Sequence, residues 1–254
     1  MDIAVLMRPV PDPVEELELN DDETDLDRDF LGYVLNEFDD HALEEALLLK
    51  EGVGGTVTAY APGSADEVEL MLHTAIAKGA DTAVMLGDDL GALDAHQQAT
   101  LFADAARARG YDLIFCGVQA SDELDGQVAV LVATLLGVPH VSVVVGTTPG
   151  DGSIAVTKEY WGGVTADLDV RLPAVLGIQA AREAPRYVAV ARIRQAQESG
   201  ALSHEDAEAP VSTSGIIVTQ IRIPEAGEGA EMIAGDEEAA ADRIVEILRE
   251  AGAA

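Results

Sequence analysis

Apolar and polar positions alternate with two different periods along the first two-thirds of the chain. Short apolar runs at residues 3–7, 57–61, 82–86, 113–116 and 141–145 read as buried strands. Between them, apolar residues spaced by three and four mark helices. One spans 39–50, with Leu43, Ala46 and Leu47 on one face and Asp39 or Asp40 as its N-cap. Another spans 66–78, buries Val68, Leu72 and Ala75, and stops at Gly79. A third spans 94–109 and stops at Gly110. A fourth starts at Gly126 and carries Val128, Leu131, Val132 and Leu135 on one face. This succession predicts an α/β fold, a mostly parallel sheet with helices on both faces. Ligands of such sheets bind at the carboxyl ends of the strands. The loops after Met7, Ala61 and Cys116 are therefore expected to converge on one crevice.

Residues 11–35 interrupt the alternation. Residues 16–19 read as an edge strand, and the acidic run 21–27 as a solvated hairpin tip, since it lacks the Gly and terminal Glu of a calcium loop. After residue 150 the pattern changes again. Runs at 154–161 and 164–170 flank Gly162-Gly163 and predict a β-hairpin, followed by a strand at 172–179. Residues 196–213 are polar and weakly patterned, which suggests an extended arm. Residues 216–223 read as a strand or extended segment ending at Pro224. A closing helix at 236–251 has Ile244, Ile247, Leu248 and Ala251 on one face. Two units are expected: residues 1–195 as the α/β unit, and 196–254 as an arm and helix that pack on a partner or back on their own domain.

The 254 residues include 15 basic and 47 acidic side chains, a net charge of −32. Such a field repels phosphate backbones and argues against nucleic-acid binding. It fits a salt-rich, halophilic cytoplasm, where the Debye length falls to about 3 Å at 1 M. No apolar run approaches the roughly 20 residues of a membrane span, and the opening residues lack a signal peptide's charged region and cleavage site. A cytoplasmic location without membrane insertion is expected. Cys116 is the single cysteine, so an intramolecular disulfide and a thiolate metal cage are excluded. His41, His73, His96, His140 and His204 show no metal-type spacing, and neither GxSxG nor a Cys/His nucleophile pair occurs. The chemistry is that of a carrier or binding subunit, with no catalytic set and no metal. The most informative stretch is 112–127, where a strand, a Gly-containing loop and a helix N-terminus form a corner. Free N–H groups and the helix dipole there favour a phosphate. Its spacing is neither GxGxxG nor Walker A, so a nucleotide site and an ordinary junction both remain open.

Four segments identify a family. They are Val5-Leu-Met-Arg-Pro-Val-Pro-Asp-Pro13; Leu35-Asn-Glu-Phe-Asp-Asp-His-Ala-Leu-Glu-Glu-Ala46; Gly117-x-Gln119-Ala120-x-Asp122 through Gly126-Gln127; and Leu172-Pro-Ala-Val175 with Glu183-Ala-Pro-Arg-Tyr187. In this order and spacing the chain resembles the beta subunit of electron transfer flavoprotein along nearly its full length. The form Leu-Asn-Glu-Phe-Asp-Asp, with Ile223-Pro-Glu and Met232-Ile-Ala-Gly235, is most similar to the branch of methylotrophic bacteria that serves trimethylamine dehydrogenase.

The resemblance implies an adenine nucleotide α-hydrolase-like fold and a heterodimer. The alpha subunit of such a pair holds most of a redox-active FAD, and the beta subunit forms one wall of its site. The beta crevice itself holds AMP in simple members and a second FAD in electron-bifurcating ones. Carried over position by position, the nucleotide site uses Leu6, then Asn36, Glu37, Phe38 and Asp39 against the adenosine, and Gly63. It also uses Gly117, Val118, Gln119, Ala120, Ser121, Asp122, Glu123, Leu124, Asp125, Gly126, Gln127 and Val128 for adenine, ribose and phosphate. Glu37 replaces the family's usual proline. Val128 replaces a common threonine, which removes one hydroxyl donor worth about 0.5–1.5 kcal/mol and leaves AMP and a second FAD both open. The resemblance further implies a recognition loop with Val190 as apolar anchor beside Arg192, Ile193 and Arg194. Its targets are flavin-dependent dehydrogenases, and the electrons go on to a membrane quinone oxidoreductase. Beside the electron carrier stand two other readings: a bifurcating complex, and a non-redox adenine-nucleotide signalling module, which should end near residue 150.

Overall fold

The computed structural model describes residues 1–28, 31–63, 65, 67–123, 125–224, 229 and 232–252. Asp66, Leu124 and Glu225, named above, lie outside the described residues. The first half runs β1 (Asp2–Leu6), β2 (Pro9–Pro11), β3 (Tyr33–Leu35), α1 (Glu37–Val53), β4 (Thr56–Pro62), α2 (Glu67–Lys78), β5 (Thr82–Leu86), α3 (Ala95–Arg107) and β6 (Leu113–Gly117). The second runs α4 (Val128–Leu136), β7 (His140–Pro149), β8 (Ser153–Glu159), β9 (Thr165–Arg171), β10 (Ala174–Ile178), α5 (Val190–Glu198), β11 (Leu202–Glu205) and α6 (Glu237–Glu250).

Nine strands form one sheet in the order β11-β5-β4-β1-β6-β10-β7-β8-β9. The first seven in that order are parallel, and β8 and β9 pair antiparallel at the end. The expected hairpin therefore extends the main sheet. The central strands β6 and β10 are buried along their whole length, as parallel strands covered on both faces must be. Successive β1 residues alternate between the two cores. Ile3 and Val5 pack with Leu43, Ala46 and Leu47 of α1 and Val68 and Leu72 of α2. Ala4 and Leu6 pack with Phe102 and Ala106 of α3 and Val128 and Val132 of α4. Asp94 caps α3 through a reciprocal pair: its carboxylate accepts from the Gln97 N–H, and the Gln97 side chain accepts from the Asp94 N–H.

Several elements differ from the sequence reading. Residues 16–19 contribute only a bridge between Leu19 and Leu26, which closes a turn held by the Asn20 side chain; of the tip expected to be solvated, Asp21, Asp22 and Glu23 are exposed and the four residues from Thr24 to Asp27 are half-buried. A small antiparallel pair, β2 with β3, was not anticipated, because two of the three β2 residues are prolines, which lack the ladder N–H. The stretch beginning at Ala196 is more ordered than its polarity suggested. Helix α5 runs to Glu198 and packs beside α2, and β11 adds a parallel strand to the β5 edge. The extended stretch follows at 206–224. It is tied down where the Gln97 side chain donates to the Pro210 carbonyl, Ser212 to Asp94, and the Ile221 N–H to the Glu23 carbonyl. Helix α6 buries none of its residues; Ile244, Val245, Ile247 and Leu248 are all exposed. Among the described residues no helix is long and apolar enough to cross a membrane.

Candidate functional site

Parallel pairing brings the carboxyl ends of β1, β4, β5 and β6 side by side, and the loops leaving them meet as the alternation predicted. At their centre lies Arg8, just past β1 and 2% exposed. Its backbone N–H and Nε both donate to Asp39 Oδ2 at 2.9 Å, and Nη2 donates to Asp39 Oδ1 at 3.1 Å. Nη2 also reaches the carbonyls of Gly117 at 3.0 Å and Gln119 at 3.1 Å, while Nη1 donates to Glu123 Oε1 at 2.7 Å. Asp39 in turn accepts the Gly117 N–H at 2.6 Å. Asn36 Nδ2 donates to the Gln119 carbonyl at 2.9 Å, and Glu123 Oε1 accepts the Ala120 N–H at 2.9 Å. One guanidinium thus fastens β1, the start of α1 and the loop after β6 to each other.

The electrostatics follow from burial. Burial opposes the charge on Arg8, but Asp39 and the neighbouring anions outweigh it and raise its pKa further. For Glu123 burial wins over the pull of Arg8, so its carboxyl titrates above the usual range. Burial likewise pushes the Cys116 thiol up, which leaves it unreactive.

Around this knot lie three cavities. One of about 400 Å³ is lined by Pro9, Arg28, Tyr33, Pro62, Glu67, Leu93, Gln98 and Asp122, among others. A second of about 250 Å³ is lined by Asp94, His96, Ala120, Glu123, Asp125, Gln127 and the arm residues Ser214, Ile216 and Val218. They share Leu93, Gln98 and Asp122 and form one two-lobed crevice. The third, about 380 Å³, lies against the other side of the loop, between Gln119, Ser121 and the residues Val10, Pro13, Leu35, Asn36, Glu37 and Phe38. The expected residues therefore separate. Asp122, Glu123, Asp125 and Gln127 line the two-lobed crevice, Asn36, Glu37, Phe38, Gln119 and Ser121 line the cavity across the loop, and Ala120 lines both. Leu6, Asp39, Gly117 and Val128 are fully buried beneath, and Val118 is half-buried. Leu124 lies outside the described residues.

The glycines have steric reasons to be there. A Cβ on Gly63 would stand 2.0 Å from the Gly87 carbonyl oxygen, and one on Gly117 would stand 2.6 Å from Asp39 Oδ1. Gly126 has φ +59° and faces the Val118 carbonyl. Helix α4, which begins at the second lobe, has no side-chain cap hydrogen bond at Gln127, and its dipole places a partial positive charge there. Sequence reasoning missed Arg8, Gln98 and the arm residues. The available signal was an arginine placed directly after a fully apolar strand in a chain with few cations.

The chain matches the sequence profile of the electron transfer flavoprotein domain over residues 26–210. It belongs to the electron transfer flavoprotein family, among the beta subunits. It is 34% identical to the electron transfer flavoprotein subunit beta of Methylophilus methylotrophus, with 98% of each chain covered. Identity to the subunit of the same name is 30% in Syntrophomonas wolfei, over 86% of this chain and 85% of that one, and 28% in Bacillus subtilis, over 98% of each.

In this electron transfer flavoprotein chain the segment expected to dock lines neither lobe of the crevice. Val190, the first residue of α5, is 59% exposed and Tyr187 is 88% exposed. Ile193 is half-buried, and Arg192 and Arg194 are exposed. Neither arginine makes an ion pair among the described residues, in a chain with 47 carboxylate side chains.

Proposed function

We propose that this chain is the beta subunit of a heterodimeric electron transfer flavoprotein that binds AMP as a structural nucleotide in the two-lobed crevice. Together with an alpha subunit it walls an FAD, whose electrons come from flavin-dependent dehydrogenases and leave to a membrane quinone oxidoreductase. The observation that carries the nucleotide reading is the pinned loop. Arg8, Asp39 and Glu123 hold residues 117–123 in place beside a crevice whose second lobe adjoins the uncapped start of α4. The amides of that helix supply the anion donors that Val128, buried in the core, does not. Asp94, Asp122, Glu123 and Asp125 crowd the same crevice, so backbone dipoles, with Arg28 in the larger lobe, carry the attraction.

Residues 1–195 carry most of the crevice and the docking segment, and the arm residues Ser214, Ile216 and Val218 complete the second lobe. Residues 196–254 carry the exposed face of α6, which supports packing on the alpha subunit. Val190 with Arg192, Ile193 and Arg194 forms the docking surface. The acid excess supports work in a salt-rich cytoplasm. The test is co-expression with the alpha subunit and quantification of nucleotides released from the pure heterodimer. One FAD and one AMP per pair is the expected result. Two FAD would make it a bifurcating subunit, and an adenine nucleotide without flavin would make it a signalling module.

A further inference from the structure

Helix α1 carries a polar stripe that the nucleotide reading does not use. His41, Glu44, Glu45 and Glu51 recur at helical spacing on one side, and Glu44 and Glu45 are 3% and 0% exposed. All four bind the chain that leaves β10. His41 Nδ1 accepts the Ala181 N–H at 3.2 Å. Glu45 accepts the Arg182 N–H at 3.0 Å, Arg182 Nε at 2.9 Å and the Thr147 hydroxyl. Glu44 accepts the Arg186 N–H at 2.9 Å, Nε at 3.0 Å and Nη2 at 2.8 Å, and Glu51 accepts Nη1 at 2.6 Å.

Residues 179–189 have no helix or strand of their own, and Val188 is their only buried side chain. Apolar packing does not set their path; the two glutamates do, each gripping both a main-chain N–H and a guanidinium. The gripped stretch ends at Arg186, immediately before the exposed Tyr187 and Val190.

We infer that Glu44 and Glu45 are positioning residues for docking, which hold residues 181–186 against α1 so that Tyr187 and Val190 are presented in a fixed place. The inference rests on the docking reading given above. An anchor on a wandering loop loses affinity to the cost of ordering it, whereas a preorganised one does not. Buried carboxylates are screened little by salt. The presentation therefore survives in concentrated salt, where attraction from the exposed Arg192 and Arg194 fades.

The test uses the heterodimer. Cys116, the single cysteine of this chain, is fully buried, so with the accessible cysteines of the alpha subunit changed to serine Tyr187→Cys takes one nitroxide label. The label is expected to be immobile in the parent and mobile after Glu44→Gln or Glu45→Gln, with bound nucleotide unchanged. With a flavin-dependent dehydrogenase that reduces the parent heterodimer as electron donor to the unlabelled variants, KM for the heterodimer rises about fivefold while kcat holds, the pattern of lost uniform binding. Val190→Ala alone raises KM without moving the melting temperature, and adding Glu44→Gln to it brings no further loss. Should Glu44→Gln fold poorly, Arg186→Gln removes the same grip from its more exposed side. A label equally immobile in all variants, or effects of Glu44→Gln and Val190→Ala that simply add, would overturn the positioning role. An unchanged KM for Val190→Ala would sink the docking reading itself, and the inference with it.

Discussion

Asp39→Asn tests whether the crevice depends on its buried ion pair. In the parent, Asp39 Oδ2 receives two donors from Arg8, and Oδ1 receives one from Arg8 and one from Gly117. An asparagine amide has to turn its NH₂ toward one of these pairs, so in either orientation two donors face a donor. Arg8 also stays buried, with Glu123 as its remaining charge partner. Removing one member of a buried pair costs about 3–5 kcal/mol. At about 2–4 °C per kcal/mol for a chain of this size, the melting temperature of the heterodimer should fall by about 6–20 °C. Because both partners are buried, the fall should be the same in dilute buffer and in molar salt. Calorimetry in both solvents measures it, and nucleotide analysis of the same samples should show AMP loss as the loop 117–123 comes loose. A fall under about 3 °C, or one that molar salt abolishes, would mean that water competes for Arg8 and that the pair does not fix the loop.

Gly126→Val should strip AMP from the purified heterodimer, since a side chain at φ +59° is strained and its Cβ would stand 2.6 Å from the Val118 carbonyl oxygen; undiminished AMP on chromatography would refute the loop assignment. In the isolated chain, protease should cut within residues 206–236, and the alpha subunit should protect them; equal protection in both states would mean that the arm and α6 pack on their own domain. Asp94→Ala should destabilise by about 1 kcal/mol through loss of the helix cap, measured by denaturant titration. Partial burial raises the Asp94 pKa, but hydrogen bonds from Ser212 and the Gln97 and His96 amides outweigh that and hold it below the usual value. The cap's stabilisation is therefore complete above the unfolded-state pKa of an aspartate and fades as pH falls through the lowered native value. A difference between parent and variant that grows on acidification would contradict this sign.

The strand–helix alternation was legible because the core is two-sided. Each central strand is apolar at every position, and each helix is apolar at every third or fourth. What stayed hidden lies where that rule lapses. Strand β11 has one half-buried apolar residue, Leu202, because it sits at the sheet's edge, and α5 buries only Ala196. In the site, the first family motif contains Arg8, but the residues carried over to the nucleotide did not include it. An arginine after an apolar strand ordinarily reaches water. Here its burial depends on Asp39 and Glu123, 31 and 115 residues away in sequence, a pairing that no local period reports.

The order of strands gives the link between β10 and β11 a further meaning. Strands β6, β1, β4 and β5 lie between them, so at about 4.8 Å per strand the link spans roughly 24 Å of sheet. On the way it meets fixed stations on α1 and α2 before β11 sets its register on β5. It behaves as a ruler rather than a loop: inserting one residue slides either the grip on Arg182 and Arg186 or the ladder from Leu202 to Glu205, and a one-residue slip turns every β11 side chain to the opposite face. Among homologous chains the count of residues from Gln179 to Ala201 should accordingly stay nearly constant.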